Sequence, residues 1–536
     1  MGRVFEKKVK ALRSLSNLFD NDNNSQRLLL LEELSKIKLQ ANQSLLHYFD
    51  RLIFICAYPA NKETHILAEM ELSRIATFMK RRRNRNNELF TNSGLPFTLI
   101  NSSFSVDCIK WMISKPELNL EIDRFENPSQ SLNKVLNLTL PSAERSATTA
   151  GFNSDELFEA LLVKRNGRLS FLINEISKLN DQPFVMDLIF DGLGLYLNIQ
   201  SANKAFSRSF NRILPGEIFF DYQLLKQFDH NALIESELPS PTILKKIDKE
   251  KIINVIRNSM ALTDRETDPT TYLDERSFRI YDLDRGISIA LYGMIPSRQL
   301  PYESYVGYTL FKNGFPTAYG GAWVFGEYAN FGINVFENFR GGESGFIFCQ
   351  LLRVYRKVFG INYFEVEPYQ FGLDNPEGIE SASFWFYYRY GFRPLDNAII
   401  KLSKFEYKKL KASRRYRTSK KTLIKFTESN IVLKLENRTP VKVADLTSKI
   451  TRMIQRSYEG NRLAATDDCI MKFKQKAGMK SGLNKNENQV LEEVSLLAEA
   501  LKIRKKGQLN LLEQMIKTKS IDLYSYQILL LRFFGS

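Results

Sequence analysis

FGINVFENFRGGESG (331–345) runs directly into FIFCQLLRVYRKVFG (346–360). An extended apolar segment ends at Arg340 in a glycine-rich turn, and an amphipathic helix opens behind it. Ile347, Phe348, Leu351, Leu352, Tyr355, Val358 and Phe359 mark one face of that helix, and Gly360 is its natural stop. The first N–H groups of such a helix have no partner within it and lie at the positive end of its dipole. Glycines let the preceding loop bring the phosphates of a ligand close to those donors.

Upstream, strand-like runs rich in aromatic and β-branched residues occupy 288–294, 304–311, 316–326 and 331–337. Asn313-Gly314 is a hairpin turn signal between two of them. Gly320-Gly321, inside a strand pattern, predicts a bulge or a close backbone approach. A helix is expected at 244–260 ahead of the strands. Downstream come a strand at 361–367, a short helix at 379–390 ended by Gly391, and a strand near 397–403.

The flanks read differently. Residues 1–90 repeat apolar residues at helical spacing, with Thr64 a cap candidate for a helix over 64–83 that ends in cations. Residues 95–240 are mixed and carry no metal, nucleotide or nucleophile motif. The tail 404–536 is mostly helical by pattern, with a strand-like run at 430–436 and a polar loop at 476–487. The fold class expected is α/β (α+β): a central domain (243–403) with a mixed, mostly antiparallel sheet. A mainly helical region (1–242) precedes it and a basic helical one (404–536) follows. A chain of 536 residues suits about three domains.

Composition excludes several classes. With 43% hydrophobic and 25% charged residues the chain is globular rather than disordered. No run approaches the roughly 18 uncharged apolar residues needed to span a bilayer. MGRVFEKKVK lacks the apolar core of a signal peptide, and Glu6 stands where myristoylation needs Ser or Thr, so a cytoplasmic protein is expected. Four dispersed cysteines and three histidines predict neither a disulfide framework nor a metal site.

The net charge of +16 is concentrated. Residues 401–425 hold eleven Lys or Arg against one acid, Glu406, a net +10. Lys80 to Arg83 with Arg85 form a second basic run. Such runs suit an anionic partner, whether nucleic acid, membrane or acidic ligand; a solvated helix face is the plainer alternative.

The element order and two motifs resemble the acyl-CoA N-acyltransferase (GNAT) superfamily over about 250–403. In that family the fourth strand ends in Arg/Gln-x-x-Gly-x-Gly/Ala, whose turn amides hold the pyrophosphate of coenzyme A. Here Arg340 and Gly345 match, and Glu343 replaces the central glycine. The family's Asn-x-x-Ala-x-x-Leu-Tyr-x-x-x-Gly-Phe is similar to the segment from Glu380 through Tyr387 to Gly391-Phe392, without the Asn and Ala. The resemblance implies a GNAT-like fold and acyl transfer from acetyl-CoA or another acyl-CoA to a small-molecule or peptide amine, with no metal. It places Arg340, Gly341, Gly342, Ser344, Gly345 and Phe346 at the coenzyme and makes Tyr387 the general acid. Direct attack by an amine also needs a base; Glu327 and Glu337 are candidates, then Glu365 and Glu367. Glu343 would either point into the turn and repel a pyrophosphate, or swing outward as a first-turn acid of the helix. The first alternative leads to a non-catalytic binding protein that keeps this fold and has lost coenzyme A binding. A polyanion-binding protein is the remaining reading. The absence of GxSxG and GxxxxGK[ST] removes the corresponding hydrolase and P-loop readings.

Overall fold

The computed structural model describes residues 2–15, 17–82, 88–479 and 482–535. Arg83 and Arg85 of the second basic run lie outside the described residues. Four helices open the chain: Gly2–Ser14, Asn21–Ser35, Gln43–Ala57 and Lys62–Lys80. They pack on each other through Leu31, Leu45, Phe49, Leu52 and Leu72. The fourth is capped by Asn61, whose side chain accepts from the Thr64 N–H; Thr64 lies inside the first turn and is fully buried.

A second core follows. Strands β1 (Ile100–Ser102), β2 (Leu118–Phe125) and β3 (Leu195–Ser201) form an antiparallel sheet in the order β1-β3-β2. Helices between 106 and 191 cover it, with Ile109, Leu136 and Leu172 inside. The segment before residue 242 therefore holds two cores, and only the first is purely helical.

The central sheet has eight strands: β4 (Arg279–Leu283), β5 (Ile287–Tyr292), β6 (Ser304–Lys312), β7 (Phe315–Phe325), β8 (Tyr328–Val335), β9 (Tyr363–Val366), β10 (Arg393–Pro394) and β11 (Ile431–Lys434). Their order is β10-β11-β9-β8-β7-β6-β5-β4, antiparallel throughout except for the parallel pair β8–β9. The helix Ser344–Phe359 makes that crossover and buries Phe348, Leu351, Leu352 and Tyr355 on the sheet. Asn313 and Gly314 both have positive φ (46° and 81°), as a two-residue hairpin of this twist requires. Gly320-Gly321 stays in register; the strand irregularity lies between Leu310 and Phe311. The glycines serve close approach instead, since a Cβ on Gly320 would stand 2.5 Å from the Gly332 carbonyl oxygen.

Three expectations need correction. Residues 397–403 open the helix Asn397–Ala412 rather than a strand, because the Asp396 carboxylate caps the N–H groups of Ala398 and Ile399. The helix expected at 379–390 is two, Pro376–Glu380 and Ser383–Arg389, broken at Ala382, whose φ is 52°. The sheet also outruns residue 403: β11, from the strand-like run at 430–436, inserts between β9 and β10.

Among the described residues, five helices between Val443 and Phe534 form the C-terminal bundle, whose core includes Tyr302, just ahead of β6, and Phe325 at the end of β7. Among the described residues no helix is long and apolar enough to cross a membrane.

Candidate functional site

β8 ends at Val335, a single 3-10 turn (Glu337–Phe339) follows, and Gly341 adopts φ 91° before the helix begins at Ser344. Ile347 N–H bonds the Glu343 carbonyl at 2.9 Å as the first helical bond. The N–H groups of Ser344, Gly345 and Phe346 are thus outside the helical ladder, as at any helix start. Arg340 and Gly341 are exposed, and Ser344 and Gly345 half-buried.

Glu343 takes neither orientation expected of it. It is 1% exposed and turns inward, away from the mouth of the turn. Its carboxylate accepts from Leu225 N–H (2.7 Å) and from Arg285 Nε and Nη2 (3.0 and 2.6 Å), and lies 3.4 Å from Lys312 Nζ. Lys312, at the end of β6, also reaches Asp221 at 3.0 Å and the Arg285 carbonyl at 2.6 Å. Arg285 in turn bonds Asp221 at 2.7 Å. Two carboxylates and two cations therefore balance in a nearly dry space, which is the condition for burying charge. Burial is the largest influence on Asp221 and pushes its carboxyl up to about 6, against the pull of Lys312. Burial likewise pushes Lys312 down, against its two carboxylate neighbours.

The turn is walled by other parts of the chain. A Cβ on Gly342 would stand 3.0 Å from the Tyr58 ring, whose hydroxyl is buried behind the turn near the Glu343 backbone. A Cβ on Gly345 would fall 1.7 Å from the Tyr390 hydroxyl oxygen. Phe228 meets Phe346 edge-on at 5.4 Å and stacks on Tyr390 at 6.2 Å. Arg340 is drawn along the surface to Glu377 and to the Val335 carbonyl rather than over the turn.

Tyr387 is 2% exposed, among the rings of Phe348, Phe371, Phe386 and Phe392. Burial alone raises its hydroxyl above the ordinary tyrosine range. Glu327 sits in the β7–β8 hairpin, at the far end of β8 from the glycine turn. The eight residues of β8 separate the two ends by about 25 Å, so Glu327 and the turn do not share a site. Glu337 is exposed beside the turn. Glu365 is buried and bonded to Asn430 and Lys442. Glu367 is exposed and accepts from Asn330 Nδ2 at 2.6 Å.

The parallel strands pair from Tyr328↔Tyr363 to Asn330↔Glu365, and β9 ends one residue later at Val366. Beyond that point Gln370 lies against Gly332, its amide nitrogen 3.0 Å from where a Cβ would be. Tyr308 seals the neighbouring space by donating its hydroxyl to the Gly332 carbonyl at 2.9 Å.

Two other places were candidates for chemistry. Cys56, His65 and Glu69 bring their donor atoms within 4.8 Å of one another. Arg212 already binds both Glu69 oxygens and burial holds the Cys56 thiol well up, so two of the three donors are engaged or protonated, while His65 Nδ1 is buried with no hydrogen-bond partner among the described residues. The cleft beside Lys519, where the sheet meets the C-terminal bundle, offers about 20 Å³, room for one water.

Comparison with models of protein families, with curated proteins and with solved structures finds no match to this chain. Sequence reasoning found the turn, the helix and Glu343 but missed Asp221, Arg285, Lys312 and Tyr58. Lys312 carried a signal, as the lone cation ending the apolar run Val306 to Phe311.

Proposed function

We propose that this chain is an acyl-CoA-dependent N-acyltransferase with a GNAT-like central domain, acting on an amine. The observation that carries the reading is the inward turn of Glu343. The carboxylate that stood against pyrophosphate binding is neutralised behind the turn, and the first amides of the 344–359 helix are left to a dianion. The parallel pairing of β8 and β9 across that helix supports it further. The residues present suit the pyrophosphate end of coenzyme A. Past the end of β9, Gln370 of the 3-10 turn Pro368–Phe371 lies half-buried against Gly332. Glu337 and Glu367, both exposed, are the carboxylates this reading assigns to accept a proton from an amine.

Titration calorimetry with coenzyme A tests this. Wild type is expected to release heat, and Ser344→Asp to bind at least tenfold more weakly, roughly 1.4 kcal/mol. An acid at the first helical position suits the helix dipole, so that variant keeps its fold while repelling phosphate. No heat from wild type overturns the reading.

The sealed ring cluster around Tyr387 favours a second reading, a non-catalytic protein of the same architecture. Coenzyme binding with no release of free thiol from acetyl-CoA in the presence of any of a panel of amines selects it.

A further inference from the structure

The basic segment 401–425 is exposed on the helix Asn397–Ala412, the loop behind it and the helix Lys420–Phe426. Lys401, Lys404, Lys408 and Lys411 follow at i, i+3, i+7 and i+10. At 3.6 residues per turn they form one stripe about 15 Å long. Arg414 and Arg415 extend it through the loop. Of the eleven cations, only Lys409 and Lys420 have a carboxylate within 4.0 Å among the described residues. The one acid of the segment does not offset them at the surface. Glu406 is 4% exposed and points inward, bonded by Lys409 at 2.9 Å and by the Tyr416 hydroxyl at 2.6 Å.

A solvated helix face usually interleaves both signs, and its charges pair along the helix. Here the acid is hidden and nine of the eleven cations have no carboxylate partner among the described residues. An anionic membrane would be met by a helix with an apolar side to insert. The apolar side of this helix is spent on the protein: Ile399 and Ser403 are buried, and Leu402 packs on the central core. Phe405 is the one large apolar side chain exposed on it, at 56%, with the Lys409 ammonium 4.1 Å from its ring. Lys401 and Lys408, neither with a carboxylate partner among the described residues, flank Phe405 at i−4 and i+3. An exposed ring beside free cations is the arrangement that stacks an unpaired base while lysines and arginines neutralise the flanking phosphates.

We propose that this face binds single-stranded nucleic acid. The lysine stripe and the arginine loop follow the phosphate backbone, and Phe405 stacks a base. Either RNA or DNA presents that chemistry, since the contact uses phosphates and a base face only.

Fluorescence anisotropy of the full chain with labelled oligo(dT) and oligo(U), of about 20 nucleotides each, is the test. Both strands are read against a duplex of the same length and against vesicles containing phosphatidylserine. Binding of at least one single strand is expected, with a logarithmic salt slope near −3, about four phosphates at −0.7 each. Reversing three exposed charges, Lys404→Glu/Lys408→Glu/Arg414→Glu, is expected to weaken binding more than tenfold with an unchanged circular dichroism spectrum. Phe405→Ala is expected to weaken the single strand about tenfold and leave the duplex unaffected. Binding to vesicles but not to either strand overturns the proposal. So does nucleic-acid binding that survives the triple reversal, or a preference for duplex that Phe405→Ala does not change.

Discussion

Lys312 is the cation on which the glycine turn rests, because it stands between Asp221 and Glu343 with no solvent to replace it. Lys312→Met would leave two carboxylates sharing one guanidinium, and removing one partner of a buried pair typically costs about 3–5 kcal/mol. Urea unfolding should show a loss of that order, and adding Asp221→Leu should recover part of it, since apolar replacement of a whole buried pair is far cheaper. An unchanged midpoint for Lys312→Met would mean that the network does not form. Asp221 makes the network sensitive to pH. Its carboxyl is raised from 3.8 to about 6, chiefly by burial, so the folded chain holds this proton more tightly than the unfolded one. That contribution is complete below about pH 4 and is lost as the pH rises through 6. Wild type should therefore lose stability relative to Asp221→Asn between pH 4.5 and about 7, and a constant difference over that window would refute the shift. Glu343 was visible in the sequence as a charge in a glycine turn. Its partners were not, because they come from a linker, a hairpin and a strand end that only the tertiary fold brings together.

At the scale of elements, the start of the 344–359 helix is fixed by what Gly345 leaves out. An alanine there would put its Cβ 1.7 Å from the Tyr390 hydroxyl, which must then move. Overpacking of this kind costs about 1–3 kcal/mol. Tyr390→Phe removes the oxygen but leaves the ring Cζ 2.6 Å from that Cβ, so the pair should be partly non-additive: the double variant should unfold at a higher denaturant concentration than Gly345→Ala alone. Strict additivity in the double-mutant cycle would show that the ring, not the hydroxyl, sets the contact. The same helix was plain in the sequence, since its apolar face repeats at helical spacing and Gly360 ends it with φ 70°. The antiparallel strands were also legible, through alternating aromatic and β-branched residues and the Asn313-Gly314 turn. Residues 397–403 were not. Ala398-Ile399-Ile400 is a short apolar run that fits either element, and the deciding signal was the cap at Asp396 just ahead of it. Tyr387 shows the same limit for the candidate site: its position in a motif was readable, but its enclosure by four rings was not.

For the molecule as a whole, the boundaries drawn from composition cut through shared cores. Phe315 and Phe339 of the central region pack with the N-terminal helices, and Tyr302 and Phe325 pack with the C-terminal bundle. Asn313 ties three segments at one point, donating to the Ala57 and Phe219 carbonyls and accepting from the Phe219 N–H, each at 2.9 Å. The strongest case is β11, which pairs with β9 from Ile431↔Val366 to Lys434↔Tyr363 and with β10 through Arg393↔Val432. A chain ending at 403 keeps β9 and β10 but removes the strand between them. It also removes Phe426, which stacks on Phe384 at 4.0 Å and is fully buried. An unpaired strand interior and exposed aromatic rings favour aggregation over a smaller stable fold. Hydrogen exchange on three chains separates this from simple loss of the bundle. Residues 363–366 should be protected in the full chain, largely protected in a chain ending at 441, which keeps β11, and exchange freely in one ending at 403. Equal protection in the two shortened chains would show that the sheet closes without β11. The domain edge would then belong at 403 after all.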